Sequence, residues 1–111
     1  MKIVSLNDLP PAQVSHNAAI GKQVLIEGGE LGPITYFSRA VFPPGEVADA
    51  HSHRDMGEVF FIQEGRGEIE IDGTVHAIEA GSCIKIVPGE VHELRNTGSD
   101  DMVVLYFGVL V

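Results

Sequence analysis

From Gly28 onward, turn-forming residues interrupt the chain roughly every 8–12 residues, a spacing that leaves room only for short strands between them. The turns are Gly28–Gly29, Gly32–Pro33, Pro43–Pro44–Gly45, Glu64–Gly67, Asp72–Gly73, Ala80–Gly81, Pro88–Gly89 and the polar loop Thr97–Asp101. Between them lie Gln23–Glu27, Ile34–Phe42, Val59–Gln63, Glu68–Asp72, Thr74–Glu79, Ser82–Val87, Val91–Arg95 and Met102–Leu110. Several of these segments are rich in β-branched and aromatic residues, which suit a pleated surface. Glu68–Asp72 alternates strictly, with Ile69 and Ile71 on one side and three acids on the other, the signature of a strand with one wet face. No helical periodicity exceeds two turns and no βαβ pattern occurs, so the expected fold class is all-β, a sandwich or barrel. Before Gly28, Lys2–Leu6 reads as a short edge strand stopped by Pro10–Pro11. Gln13–Ile20 reads as loop or a weak turn of helix, with His16 exposed and uninvolved.

The 111 residues suit one domain, taken as an N-terminal arm over residues 1–22 and a barrel over residues 23–111. Sixteen acidic and seven basic side chains give a formal charge of -9. That balance argues against nucleic acid, which needs a basic footprint, and against an anionic membrane surface. The single cysteine, Cys83, excludes an intrachain disulfide and suits a reducing compartment, where it reads as a small packed side chain. The N-terminus is broken by Asn7, Asp8 and two prolines and does not read as a signal peptide, and no apolar run approaches a membrane span. A cytoplasmic location is therefore expected.

The stretch Gly45–Gly65 holds the chemistry. His51 and His53 stand at i and i+2, which places both on one side of an extended segment. Glu58 opens the next apolar run, and an inward-facing glutamate needs a partner because an unpaired buried charge is costly. His92 lies in a second stretch of similar plan. Imidazole and carboxylate are both ligands for first-row transition metals, so His51, His53, Glu58 and His92 are expected to converge on one divalent ion inside the barrel. Asp49 and Asp55 read as solvated loop acids, and His76 as a half-exposed strand residue.

These two stretches resemble the paired motifs of the cupins, the conserved β-barrel superfamily. The first motif runs glycine, five residues, His-x-His, three or four residues, glutamate, six residues, glycine, and Gly45, His51, His53, Glu58 and Gly65 fit every position. The second runs glycine, five residues, Pro-x-Gly, two residues, histidine, three residues, asparagine. Gly81, Gly89, His92 and Asn96 fit it, but Val87 stands at the first proline place and Pro88 at the variable one. The resemblance implies a double-stranded β-helix, or jelly-roll, barrel. It implies that His51, His53, Glu58 and His92 bind one divalent metal: manganese, iron, nickel or zinc, among which the ligands do not choose. It leaves Asn96 to fix the turn carrying His92.

Parity from Glu58 and His92 gives an apolar pocket wall of Phe60, Ile62, Ile84, Ile86 and Leu94. Tyr36, Arg39 and Tyr106, on strands of unfixed facing, are candidates to contact a bound oxygen or carboxylate. The pocket suits a small organic ligand with one metal-binding head. The resemblance implies a metal-dependent dioxygenase, isomerase or decarboxylase without choosing among them. A non-catalytic binding or sensing module is the alternative, and a structural protein a further one. A homodimer is expected, buried through Lys2–Leu6 and an outward set of Val103, Leu105 and Phe107.

Overall fold

The computed structural model describes residues 1–15 and 17–111; His16 lies outside them. Ten strands follow in chain order: β1 (Ala12–Val14), β2 (Asn17–Ile26), β3 (Ile34–Phe42), β4 (Val47–His51), β5 (Met56–Glu64), β6 (Arg66–Ile71), β7 (Thr74–Glu79), β8 (Cys83–Ile86), β9 (His92–Arg95) and β10 (Met102–Leu110). They form a six-stranded sheet, β1-β2-β3-β10-β5-β8, facing a four-stranded sheet, β4-β9-β6-β7. Every pairing between these strands is antiparallel. The expected all-β architecture is present, a double-stranded β-helix. No helix among the described residues is long and apolar enough to cross a membrane.

The strand periodicity places the core. Along β5 the even positions Met56, Glu58, Phe60 and Ile62 are buried, while Phe61, Gln63 and Glu64 are exposed. Along β3 Ser38, Ala40 and Phe42 are buried. Ile20, Ile62, Ile69, Met102 and Val104 are almost completely enclosed, joined by Ile78 and Ile86. Each such side chain contributes on the order of 2 kcal/mol by leaving water. Register shifts that place an extra residue in β2, β3, β4 and β5 are the bulges that curl both sheets around this core.

The N-terminal part departs from the sequence expectation twice. Lys2–Leu6 is not a strand. Residues 1–5 are irregular and Leu6–Asp8 is a single 3₁₀ turn, held by Gln23 Nε2 donating to Leu6 O at 2.7 Å and by a Lys2–Glu30 ion pair. Within Gln13–Ile20, Gln13 and Val14 belong to β1 and residues 17–20 open β2, with Ser15 in a turn, so most of the described residues are strand rather than loop. Their polar composition hid a strand whose stability comes from pairing with β3 and β1 and from Ile20 packing inward. Asn17 Nδ2 donates to Val47 O at 2.9 Å and to Glu46 Oε2 at 3.1 Å, linking β2 to β4 across the open side of the barrel.

Asn96 joins several segments at once. Its side-chain amide donates to Phe42 O and Asp100 O, both at 2.8 Å, and its Oδ1 accepts from Gly98 N at 2.9 Å. It therefore ties the end of β3 to the loop before β10, instead of fixing the turn that precedes His92. Asn96 is 2% exposed, so removing it strands carbonyls without water. Asn96→Ala is expected to lower unfolding free energy by about 2–4 kcal/mol in urea titration; a loss under about 0.5 kcal/mol, typical of surface sites, would contradict this account.

Candidate metal centre

Glu58 is the buried carboxylate of the site. It lies on β5 opposite Gly108 of β10 and Ile86 of β8, and is 4% exposed. Its Oε1 is 3.1 Å from His92 Nε2 and 3.3 Å from His53 Nε2. Its Oε2 accepts from the Tyr36 hydroxyl at 3.3 Å.

His92 opens β9 and is buried. His51 closes β4 directly opposite it, with ring centroids 4.3 Å apart. This juxtaposition depends on a bulge. Ala48 pairs with Leu94, so unbroken register would set residue 50 against His92; one extra residue brings His51 there instead. The bulge thereby aims an odd-numbered histidine to the side that even-numbered Ala48 faces. His53 follows after the strand ends. Its carbonyl accepts from Gly89 N at 2.7 Å, and Gly89 sits at φ +89, a conformation suited to glycine. Pro88 before it presets the first corner of the same turn, closed by Glu90 N donating to Val87 O at 3.2 Å. The displaced proline of the second motif thus serves this turn.

Backbone carbonyls orient two of the rings. His51 Nδ1 is 2.8 Å from Asp49 O, and His92 Nδ1 is 3.1 Å from Glu90 O. With Nδ1 donating its proton there, a neutral ring would present its Nε2 lone pair to a bound ion. One ligand atom from each of His51, His53, Glu58 and His92 lies within 4.8 Å of the others. A divalent ion with bonds of about 2.1 Å sets adjacent ligands about 3 Å apart, close to the Glu58–His92 and Glu58–His53 separations. The four residues form a cluster that could hold one metal ion.

A family model described as Cupin domain matches residues 38–108, well over half of the chain. The chain belongs to the cupin family. Among this cupin's relatives is the oxalate-binding protein of Thermotoga maritima, 33% identical over 66 residues. The match covers 60% of this chain and 54% of that protein, so the chain spans about half of its length. An uncharacterised protein of Methanocaldococcus jannaschii is 26% identical over 106 residues, 95% of this chain and 85% of its own. The crystal structure of a Thermotoga maritima protein described as a predicted oxalate decarboxylase superposes with a TM-score of 0.91 at 24% identity, covering 99% of this chain and 100% of that one. At that identity the likeness concerns the fold.

A cavity of about 500 Å³ opens beside the cluster. Phe60, Leu94, Tyr36 and Tyr106 line it, with His51, His53, Glu58 and His92 at one side. Phe60 stacks on Tyr106 at 5.8 Å, and Tyr106 meets Tyr36 edge-on at 5.6 Å. Ile62, Ile84 and Ile86 do not line it. They face inward as parity requires, but Ile62 and Ile86 are core residues and Ile84 packs against that core. Arg39 also misses it. The buried alternation Ser38, Ala40, Phe42 turns Arg39 to the outer face of β3. Asp55 and the exposed His76 are not part of the wall, whereas Asp49 is. Sequence reasoning overlooked Ser15, Asn17 and Lys22, which also line the cavity. Parity from Ile20 along β2 was the available signal for Lys22, but it requires knowing that a strand runs there.

Burial opposes ionisation of Glu58, but the hydrogen bond from His92 and the neighbouring imidazoles outweigh it and hold the carboxyl below its ordinary 4.5. Burial likewise opposes charging His92, and its bonds to Glu58 and Glu90 O raise it above its ordinary 6.5. Burial, with the Glu58 carboxylate beside it, pushes the Tyr36 hydroxyl far up, and burial raises Tyr106. Both tyrosines stay neutral donors at physiological pH. The signs fix how the metal-free barrel responds to acid and base. The lowered Glu58 contributes stability that is complete above 4.5 and is lost as pH falls through its depressed value. The raised His92 contributes stability that is complete below 6.5 and is lost as pH rises through its elevated value. Thermal midpoints in chelator should therefore peak between these limits and decline on both sides. Calorimetric scans flat across the whole range would contradict the ion-pair geometry.

Proposed function

We propose that the chain binds one divalent transition metal ion through His51, His53, Glu58 and His92. The ion's remaining positions then hold a small oxygen-bearing organic ligand for a reaction of dioxygenase or isomerase type. The observation that supports this most is the sharing of Glu58 Oε1, on a side chain 4% exposed, between two imidazole nitrogens at near-ligand spacing. A bound ion would supply Lewis acidity, or a site for dioxygen, next to the ligand.

The chain's own groups complete the proposal. Asp49 O and Glu90 O keep two imidazoles in the coordinating tautomer. Tyr36 donates to Glu58 Oε2, which would leave Oε1 as the oxygen available to a bound ion. Phe60, Leu94 and Tyr106 exclude water from the ligand's apolar part. The metals that fit are manganese, iron, nickel and zinc, since all accept imidazole and carboxylate. The oxalate-binding relative suggests a carboxylate head for the ligand.

A non-catalytic binding role is the second reading. It is favoured by the titratable groups that line the cavity outside the cluster among the described residues: both tyrosines are held protonated, Asp49 is exposed, and Lys22 carries an ammonium. We further propose a homodimer formed through the outer face of β3 and β10, where Phe37 and Phe107 meet edge-on at 6.3 Å and remain half-exposed.

Elemental analysis of purified protein is expected to find close to one equivalent of a single transition metal. His53→Ala and His92→Ala should each lose it while circular dichroism stays that of a β-barrel. Metal retained at full stoichiometry by both variants would overturn the ligand assignment. Light scattering at micromolar concentration should give twice the chain mass, and a monomer would remove the dimer.

A further inference from the structure

The cavity contains a cation that the metal cluster does not use. Lys22 pairs with Ala40 of β3 and Ala12 of β1, and Ala40 is completely enclosed. Ile20, two positions earlier on the same strand, is enclosed as well. Directly paired residues, and residues two apart, share a sheet face, so Lys22 points into the barrel, and it lines the cavity together with the histidines. No ion pair or side-chain hydrogen bond engages it among the described residues, although the chain carries sixteen acids. The other charged groups of the wall are Glu58, committed to the cluster, and Asp49, which is exposed and solvent-screened. Lys22 is half-buried and has no counter-ion among the described residues, so its ammonium is available to an anionic group bound in the cavity.

We propose that Lys22 binds the second acid group of a dianionic ligand, a dicarboxylate whose first carboxylate sits at the metal centre. This rests on the metal reading above. A divalent ion with Glu58 leaves one net positive charge, which a single carboxylate neutralises; Lys22 adds the second. The sheet sets the length of the ligand. Lys22 on β2 and Glu58 on β5 are separated by β3 and β10, about 14 Å along a flat sheet at ~4.8 Å per strand. They are also offset, because the row through Lys22 runs by Ala40 and Val104 to Ile62, four residues beyond Glu58. Curling of the sheet and the lysine stem shorten this gap. A ligand that bridges what is left is a diacid longer than oxalate, whose two carboxylate carbons are bonded to each other. A cavity of about 500 Å³ accommodates a longer diacid.

The test is titration calorimetry on protein loaded to one equivalent with whichever of manganese(II), nickel(II) or zinc(II) it retains. Succinate, glutarate and adipate are each compared with their monomethyl esters, which remove one charge and keep the shape. At least one diacid is expected to bind tenfold or more tighter than its ester. Lys22→Met and Lys22→Gln should erase that difference, and Lys22→Arg should keep it. Oxalate should bind wild type and Lys22→Met within about twofold. The wild-type diacid and ester pairs decide the matter even if a variant fails to fold. Equal affinities within every pair, or a preference that both neutral variants retain, overturn the role of Lys22 while leaving the metal reading standing. Failure to retain any of these metals, or iron(II) offered without oxygen, overturns both.

Discussion

A carboxylate enclosed within a β-barrel must be compensated on the spot, and the arrangement around Glu58 follows from that need. Burial alone would cost several kcal/mol. Two imidazoles on Oε1 and a tyrosine hydroxyl on Oε2 meet the charge from different strands and loops. Each partner in turn depends on a local device: the bulge that re-aims His51, the Pro88–Gly89 turn that holds the His53 carbonyl, and the Glu90 carbonyl that sets the His92 tautomer. These devices lie outside the apolar core. Core packing and ligand geometry are therefore separable in this barrel, and the bulge and turn can be altered without emptying a core position.

The same separation runs along β5. Phe60 and Ile62 share a face, yet Phe60 lines the cavity and Ile62 is locked in the core with Ile69, Ile78 and Met102. One end of the barrel is filled by branched aliphatic side chains, which have well-defined rotamers and resist rearrangement. The other is walled by aromatic rings whose edges and faces leave space between them. A tightly packed end beneath an open aromatic end gives the strands that carry Glu58 and His92 a fixed base.

The fold was largely legible in the sequence, because turn spacing and period-two alternation are local. Ile34–Phe42, Thr74–Glu79 and Met102–Leu110 were bounded as they stand, and parity from Glu58 turned Phe60 and Ile62 inward. The gathering of His51, His53, Glu58 and His92 was legible from motif spacing. What escaped depends on tertiary context. Parity reports the face of a sheet but not the height along the barrel, so Ile62, Ile84 and Ile86 were assigned to a pocket they do not line. The facing of Arg39 needed the register of β3 against β2 and β10. The β4 bulge leaves no compositional trace. Ala12–Val14 and the start of β2 carry alanine, glutamine and asparagine, and only their sheet partners make them strands. Lys22 was overlooked for that reason.

The electrostatics of the molecule then divide by distance. A net charge of -9 repels anions at long range, and salt screens that field within about 8–10 Å. Inside the cavity the balance reverses once a divalent ion outweighs Glu58 and Lys22 stands unpaired. Water is scarcer there and the effective dielectric lower, so each pairing is worth more than at the surface. For an anionic ligand, encounter is not assisted by the overall field, and selection must come from contacts made after entry. Such contacts act mainly on the rate of departure. With the proposed ion and Lys22 in place, an acidic exterior around a cationic pocket would disfavour loose binding of anions to the surface and leave the cavity to discriminate by charge.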